Sequence, residues 1–198
     1  SSLEYLNEIP FRDVYIYATV LNEEGKRMSK SLGTGVDPLD LIEKFGADAL
    51  RFALMQQAGK NQDIRFSDKR VENVRNFGNK IWNASRFVMM NLEGWAPSPG
   101  GEGRGEGAAL EDKWILSRLH RTIDLVNRSF ANYDIDDAAN GLYEFLWSEF
   151  CDWYIELAKS RLREGGEAKA SVQAVLYEVL ETTLRLLHPI MPFITEEI

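Results

Sequence analysis

The sequence has few of the side chains that bind metals or form disulfides. Its 198 residues include one cysteine, Cys151, and two histidines far apart, His120 and His188. A single cysteine excludes an internal disulfide, and its apolar neighbours favour a packed, unreactive thiol. The ligand set of a structural zinc site is missing. Because His188 precedes a proline at a predicted helix end, we expect it to cap that helix.

Long apolar runs and a targeting sequence are also absent. No apolar stretch reaches the roughly 18 residues that a membrane-spanning helix needs, and no charged-then-apolar leader is present at the start. We therefore expect a cytoplasmic protein without a membrane partner. The composition, 44% hydrophobic and 27% charged, is typical of a globular protein of one or two domains.

Positive charge is in short supply as well. The chain has 23 Lys and Arg against 31 Asp and Glu, a formal net charge of -8. Binding of nucleic acid draws its affinity from cations that neutralise phosphates, so the surface as a whole does not suit that purpose. Charge alone favours a protein-binding or structural module, and any contact with nucleic acid must be local.

The beginning of the chain predicts a strand and a loop. Residues 13–21 are β-rich and nearly all apolar, which is typical of a strand buried on both faces of a parallel sheet. Residues 1–12 offer no partner strand and no crossover helix, so we expect the rest of that sheet to lie outside this chain. Residues 22–35 are polar and contain glycines, and they predict a loop with a mobile backbone.

Helices are predicted for most of the remaining chain. A capping acid, a proline and a glycine bound a short helix, and apolar residues every three or four positions mark longer ones. The predicted spans are 37–46, 47–57, 68–92, 114–130, 138–157 and 172–187. The Gly- and Pro-rich stretch 94–109 predicts a flexible connection. The sequence thus predicts a mainly α fold that contains a helical bundle.

Both ends of the chain show patterns that are cut short. The strand at 13–21 lacks neighbours, and Thr195 with the two acids after it has the pattern of a cap and first turn of a further helix. A binding module that is complete in itself should close its core and cap its termini. We therefore expect a piece of a longer protein.

The loop and the helices after it resemble a known family. Residues 27–31, Arg-Met-Ser-Lys-Ser, differ by one residue from the KMSKS signature of class I aminoacyl-tRNA synthetases, and they follow a predicted strand as that signature does. The run 36–51 resembles the helix-turn-helix that comes after the loop in the branched-chain members of the class. Residues 188–197 are similar in all of these members, so they support the class without choosing an amino acid.

Three further segments resemble the valyl members of the class more than the isoleucyl or leucyl ones. They are 63–66, 75–84 and 149–159. The resemblance implies an enzyme that joins valine to its tRNA with ATP and magnesium. The family's histidine-pair signature, its amino-acid pocket and its editing domain have no counterpart in this sequence, so the isolated chain is expected to be inactive.

The resemblance also implies a division of the chain into three parts. Residues 1–35 would be the end of a Rossmann-type catalytic domain with its loop, and 36–66 a short stem-contact fold. Residues 67–198 would be an anticodon-binding helical bundle, truncated at its end. Thr34 and Gly35 depart from the family's usual Asn-Val, which affects the expected loop geometry.

In the family the loop binds the phosphates of ATP. The resemblance implies ATP contacts from Arg27, Met28, Ser29, Lys30 and Ser31. Lys30 would be the catalytic cation, because a mobile loop can bring its charge to the leaving pyrophosphate mainly in the transition state. Arg27 replaces the family's lysine with a planar fork that need not make the same contact. No metal-binding residue is predicted.

In the family the bundle binds the tRNA anticodon, whose unpaired bases are recognised by stacking and by hydrogen bonds to their edges. Five residues on the polar face of the 68–92 helix are predicted tRNA contacts: Arg75, Asn79, Trp82, Asn83 and Arg86. The arginines and asparagines would reach phosphates or base edges, and Trp82 would stack on a base. The alternative is a plain solvent-facing surface, with Trp82 half in the core.

Other basic and aromatic residues are weaker candidates. Arg118, Arg121 and Arg128 lie on the next predicted helix and are further possible tRNA contacts. Three aromatic residues of the 138–157 helix are expected to pack in the core instead of binding bases. They are Trp147, Trp153 and Tyr154.

Two alternatives stay open from the sequence. An isoleucyl or leucyl enzyme has the same class signatures, and the pocket that would distinguish the amino acid is absent from this chain. A non-catalytic helical module that binds tRNA or protein agrees with the net charge of -8.

Overall fold

The computed structural model describes residues 2–16, 18–29, 33, 35–59, 63–96 and 109–198. Helices dominate these residues, which confirms the mainly α fold. The helices are α1 (Ser2–Tyr5), α2 (Pro38–Phe45), α3 (Ala47–Met55), α4 (Asp68–Asn91), α5 (Leu110–Ala131), α6 (Ile135–Glu144), α7 (Ile155–Glu164), α8 (Gly166–Leu187) and α9 (Pro192–Glu197). A π-helical segment, Phe145–Tyr154, joins α6 to α7, and two short strands are β1 (Val20–Leu21) and β2 (Ile64–Arg65).

The two short helices after the loop begin where the sequence predicts; α2 ends before Gly46 as predicted, and α3 ends at Met55, two residues before its predicted end at 57. Asp37 caps α2 by accepting a hydrogen bond from the backbone N–H of Leu39 at 2.9 Å, and Pro38 occupies the first turn. Gly46, at φ 91°, ends α2 and immediately precedes α3. A side chain there would meet the steric cost of a positive φ, so glycine suits this sharp change of direction.

Helix α4 presents one apolar stripe to the core, as its periodicity predicts. Six of its residues on this stripe are buried: Val71, Val74, Phe77, Ile81, Ser85 and Val88. Their spacing of three or four residues puts them on one face of the helix. The opposite face is left to solvent, which positions its polar side chains for contacts outside the chain.

The bundle is built from α4 to α8 and the π segment. Helix α5 packs against α6, α8 and the π segment, while α7 packs against α8, and α4 contacts both α8 and the π segment. The largest fully buried side chains include Phe77, Phe145, Phe150, Tyr154, Leu142 and Leu176. These aromatic and aliphatic residues form one continuous core with α2 and α3.

The predicted 138–157 helix is part of a longer helical rod. It runs from Ile135 to Glu164 as α6, the ten-residue π segment and α7. A π-helix has i→i+5 hydrogen bonds and turns less per residue than an α-helix. Periodicity alone did not predict this change of winding. The rod ends at Gly165, φ 79°, as the glycine pair predicts.

The strand predicted at 13–21 is wrong over most of its length. Among the described residues of this run, only Val20 and Leu21 form a strand, which pairs in parallel with Ile64 and Arg65. Val14 is 72% exposed, so the apolar run is not buried on two faces. An apolar strand is buried only by elements that pack on it, and among the described residues β1 pairs with β2 alone.

The interpretation of the last residues is also corrected. Thr195 lies inside α9 instead of capping a new helix, because α9 already begins at Pro192. Its hydroxyl donates to the carbonyl of Met191 at 2.8 Å, and it lies 2.8 Å from Nδ1 of His188. His188 occupies the C-cap position of α8, and its ring contacts Thr195 of α9.

Two other expectations concern the chain as a whole. Most of the predicted connection at 94–109 falls outside the described residues, which end at 96 and resume at 109. None of the helices that the structure describes combines the length and apolar character needed to cross a membrane.

Candidate functional site

The base of the predicted phosphate loop is a tight turn after β1. Two hydrogen bonds join Asn22 and Lys26. Oδ1 of Asn22 accepts from the backbone N–H of Lys26 at 2.8 Å, and the backbone N–H of Asn22 donates to the carbonyl of Lys26 at 2.9 Å. Arg27 then forms an antiparallel bridge with Leu21. The turn therefore brings the start of the loop back beside β1 and leaves the Arg27 side chain exposed.

The residues that matter most in this loop are only partly described. Arg27, Met28 and Ser29 lie in the described part, whereas Lys30 and Ser31 lie outside it. The turn does contact the segment beyond the loop. Gly25, at φ 78°, lies against Arg65 of β2, whose Nε would be 3.5 Å from a Cβ built on that glycine. The base of the loop is thus joined to residues 64–65 by strand pairing and by this contact.

The five predicted tRNA contacts all lie on the exposed face of α4. Three of them, Arg75, Asn79 and Trp82, line one open groove of about 470 Å³. Asn83 and Arg86 are exposed on the same helix but do not line this groove. The structure therefore brings three of the five residues together and leaves the other two beside them along the helix.

The groove has walls from three elements and mixed chemistry. Besides α4, it is lined by the junction of α2 with α3 and by α9. Trp82 is 38% exposed and Phe193 of α9 is 66% exposed, so two aromatic rings face the solvent there. Arg75 lies with its guanidinium carbon 5.9 Å from the ring centre of Phe45. Such a groove offers stacking surfaces and hydrogen-bond donors, while Glu197 makes it unsuitable for a run of phosphates.

Phe193 was missed by the reasoning from sequence. It stands within the run 188–197 that resembles the family, but its distance from Trp82 along the chain gives no sign that the two share a groove. Pro192 in the first turn of α9 was the one local signal, because proline at that position starts a helix.

Comparison with known families adds to this geometry. The family model "tRNA synthetases class I (I, L, M and V)" matches residues 1–67, and "Anticodon-binding domain of tRNA ligase" matches residues 112–198. The chain belongs to the class I tRNA synthetases. Helix α4, with the predicted contacts, lies between the two matched ranges of this synthetase segment.

Curated relatives are similar over nearly the whole synthetase segment. The valine–tRNA ligase of Carboxydothermus hydrogenoformans is 51% identical over 197 residues, which are 99% of this chain and 22% of the relative. That of Thermosynechococcus vestitus is 52% identical over 203 residues, with 98% of this chain covered. The segment therefore spans about 22% of the length of the relatives that it matches.

Solved structures of other synthetases have the same fold. The ternary complex of LeuRS, tRNA and LeuAMS from Agrobacterium radiobacter K84 superposes with a TM-score of 0.72 at 24% identity, over 98% of this chain and 23% of that one. The methionyl-tRNA synthetase of Mycobacterium tuberculosis in complex with methionyl-adenylate gives 0.70 at 26% identity, over 90% of this chain and 36% of that one.

Arg118, one of the weaker tRNA candidates, is paired with an acidic residue of the bundle. Its Nε donates to both carboxylate oxygens of Glu149, at 2.9 Å and 2.8 Å, and its Nη2 donates to Oε1 at 2.5 Å. The two residues thus form a bidentate pair between α5 and the π segment of the synthetase bundle. The hydrogen bond to Glu149 raises the pKa of Arg118. Arg121 and Arg128 are exposed, and Nε of Arg128 donates to the carbonyl of Asp124 at 3.2 Å.

Of the three aromatic residues expected in the core, two are at least half-buried and one is exposed. Tyr154 is fully buried, and Trp147 is half-buried, stacked on Tyr143 at 5.5 Å with the Lys80 ammonium 3.9 Å from its ring centre. Trp153 is 65% exposed, so its expected core position is wrong. Because π winding turns less per residue than α winding, the position three residues after Phe150 lies at a larger angle from Phe150 than in an α-helix, which turns it out of the core.

A buried carboxylate joins four elements of the synthetase bundle. Asp112 of α5 accepts hydrogen bonds from Tyr154 at 2.7 Å, from Arg161 at 2.8 Å and from Ser171 at 3.2 Å. Its side chain is fully buried, and Arg161 compensates its charge. Burial, and then the charge of Asp112, raise the pKa of Tyr154, so its hydroxyl stays a donor at neutral pH. This network is structural and lies within the bundle.

Cys151 has the environment of an unreactive thiol. It is half-buried, and burial raises the pKa of its thiol from 9.0 to about 12. The thiolate is the reactive form, so this thiol is nearly all protonated at neutral pH.

Proposed function

We propose that this chain is part of an enzyme that joins valine to its tRNA in an ATP-dependent reaction. The observation that carries the proposal is the identity of 50–52% with curated valine–tRNA ligases across at least 98% of the chain. The solved leucyl complex matches at 24% identity and supports the fold alone. The isoleucyl and leucyl alternatives therefore have less support than the valyl one.

In this proposal the loop at 27–31 serves the formation of the aminoacyl-adenylate. Lys30 stabilises the negative charge that develops on the leaving pyrophosphate, and the hydroxyls of Ser29 and Ser31 add donors. Arg27 and Met28 complete the contacts to ATP. What supports the role is the described turn at 21–27, which brings the start of the loop back beside β1 and leaves the Arg27 side chain accessible.

Magnesium belongs to the same step of the proposal. Among the described residues no group of three or more histidine, cysteine or acidic side chains is placed to hold a metal ion. Magnesium usually keeps several waters and binds through substrate phosphates with one or two carboxylates, so it would accompany ATP. The loop cations then share the phosphate charge with it.

The exposed face of α4 is proposed to bind the anticodon region of the tRNA. Trp82 offers its ring to an unpaired base, and Asn79 and Asn83 offer amide groups to base edges. Arg75 and Arg86 supply the local positive charge that a chain of net charge -8 must concentrate where nucleic acid binds. The groove shared with α9 supports this role, because exposed aromatic and polar side chains meet there.

The substrate is tested with the full-length protein that contains this segment. Amino-acid-dependent exchange of pyrophosphate into ATP is measured with valine, isoleucine and leucine. We expect the highest kcat/KM with valine, and a Lys30→Ala variant should lose activity by a factor on the order of a hundred, as for removal of one transition-state donor. A higher kcat/KM with isoleucine or leucine would show that valine is not the substrate. No exchange with any of the three amino acids would contradict the proposal that the protein is an aminoacyl-tRNA synthetase.

The anticodon contact is tested by binding across a salt series. The same protein is titrated with valine tRNA and with that tRNA altered in its anticodon bases. Weaker binding of the altered tRNA is expected if bases are recognised by the bundle. Equal binding with a steep dependence on salt would leave phosphate contacts alone and contradict base recognition by α4.

A further inference from the structure

Helix α3 holds the turn that connects α8 to α9. Nε of Arg51 donates to the carbonyl of Ile190 at 2.9 Å, and its Nη2 donates to the carbonyl of Pro189 at 3.0 Å. Carbonyls just past the end of a helix have no intrahelical partner, so they need donors from elsewhere. The fork of one guanidinium supplies two such donors to two successive residues.

Asp48 acts on the other side of the same turn. Its Oδ2 accepts from the N–H of Ile194 at 2.7 Å, and its Oδ1 lies 3.4 Å from the N–H of Phe193. These are the first free N–H groups of α9, since Pro192 has none. Asp48, which is 9% exposed, therefore caps α9 through these contacts although it is distant in sequence. We call Asp48 and Arg51, one turn apart on α3, the α3 clip.

The segment that carries the α3 clip also contacts the base of the phosphate loop. Helix α3 leads to β2, and β2 pairs with β1 directly before the loop. Arg65 of β2 lies against Gly25 in the turn that starts the loop. Residues 36–66 therefore contact the loop at one end and the bundle at the other.

We propose that the α3 clip positions the anticodon-binding bundle relative to the phosphate loop, so that one tRNA can engage both ends of the enzyme. The proposal rests on the proposed function and concerns two positioning residues. Arg51 does not line the proposed tRNA groove, and Asp48 lines it with its carboxylate bonded to the backbone of α9. Reaction rates depend steeply on placement, and a shift of about 1 Å can cost a hundredfold. The α3 clip should therefore matter only when the substrate spans both regions.

The test uses the full-length enzyme and three substrates of increasing reach. Pyrophosphate exchange with valine and ATP requires no tRNA. Charging of a stem–loop RNA that has only the acceptor end of the tRNA requires no contact with the bundle. Charging of whole valine tRNA requires both regions. The variants are Arg51→Met, which keeps the apolar stem, and Asp48→Ala.

We expect kcat/KM for whole tRNA to fall on the order of tenfold in both variants, while exchange and charging of the stem–loop RNA stay within about twofold. Asp48→Asn keeps a capping oxygen and should restore most of the loss, because asparagine caps helices about as well as aspartate. Arg163→Gln and Glu43→Ala change exposed side chains of the same types and should alter none of the three activities.

The outcomes separate the α3 clip from a general role in stability. If the three activities fall together, in proportion to a lower melting temperature, the α3 clip only stabilises the fold and the positioning role is wrong. Unchanged charging of whole tRNA in both variants would also overturn it. If the unsubstituted enzyme forms no valyl-adenylate, the proposed function fails first, and the exchange assay alone reveals this.

Discussion

The hydroxyl of Tyr154 donates a hydrogen bond to Oδ1 of Asp112 at 2.7 Å, and both side chains are fully buried. The bond links the π segment to α5, while Arg161 and Ser171 bring α7 and α8 to the same carboxylate. Removal of one donor from a buried carboxylate leaves an acceptor without its partner, which costs more than the bond itself contributes.

Substitution of Tyr154 by phenylalanine should lower the free energy of unfolding by about 1–3 kcal/mol, because Asp112 then lacks one of its donors. Unfolding in urea measures the change. Tyr177→Phe is the matched control. Because Tyr177 is 40% exposed, loss of its hydroxyl should leave no buried group without a hydrogen-bond partner. An equal loss in both variants would contradict a special role for Tyr154.

The same tyrosine gives the protein a dependence on alkaline pH. Its folded-state pKa is raised above the ordinary value of 10.0, so the neutral hydroxyl stabilises the fold fully below pH 10 and this contribution is lost as the pH rises further. The stability difference between the unsubstituted protein and Tyr154→Phe should therefore narrow above pH 10. Urea unfolding of both proteins between pH 8 and pH 11 checks this; a constant difference contradicts it.

Cys151 should react slowly with thiol reagents while the protein is folded. With the pKa raised from 9.0 to about 12, the thiolate fraction at pH 8 falls roughly a thousandfold below that of the unfolded chain. Colour development with an aromatic disulfide reagent measures the rate, and addition of urea should restore it. A folded-state rate equal to the unfolded one would show that the thiol is accessible and ionised.

Ser85 should be replaceable by alanine with a gain in stability. Its hydroxyl is buried in the core stripe of α4 and makes no hydrogen bond within the described structure. Loss of an unsatisfied buried hydroxyl should raise the free energy of unfolding by about 1 kcal/mol. Ser171→Ala is the contrasting variant, because it removes a donor to Asp112 and should destabilise. Urea unfolding measures both variants, and changes of opposite sign in the free energy of unfolding would confirm the two predictions.

Within the proposed tRNA contact, Trp82 and Arg75 should contribute in different ways. Loss of stacking in Trp82→Ala should weaken tRNA binding by about 1–3 kcal/mol at any salt concentration. Arg75→Ala should instead reduce the slope of log affinity against log salt concentration by about 1, the amount that one phosphate contact contributes. Trp153→Ala is the control, because this exposed ring lies on the π segment, away from the groove. Equal effects of the two tryptophan variants would contradict the groove as the binding site.

Local sequence signals predicted the helices well and the strand poorly. The cap at Asp37, the glycine at 46 and the stripe of α4 act within one helix, so the sequence contains everything that determines them. The run 13–21 has a strand's composition, but burial depends on neighbours that composition does not specify. The same limit applies to Trp153, whose exposure follows from π winding.

The candidate site shows the same division between local and distant information. Periodicity places Arg75, Asn79 and Trp82 on one exposed face of α4, as the structure does. The groove needs α9 as a second wall, and the α3 clip needs Arg51 to meet Ile190 across 139 positions of the chain. Contacts at such separation come from packing of whole elements, which a single sequence does not reveal.

The π segment determines the angle between the apolar faces of α6 and α7 around their common axis. An α-helix advances about 100° per residue, so α6 and α7, if joined by α winding alone, would point their apolar faces in different directions. The wider winding of residues 145–154 corrects this mismatch, and Tyr154 reaches Asp112 only because of it. One residue more or fewer in this segment would rotate everything up to Glu164, so its length is as constrained as its composition.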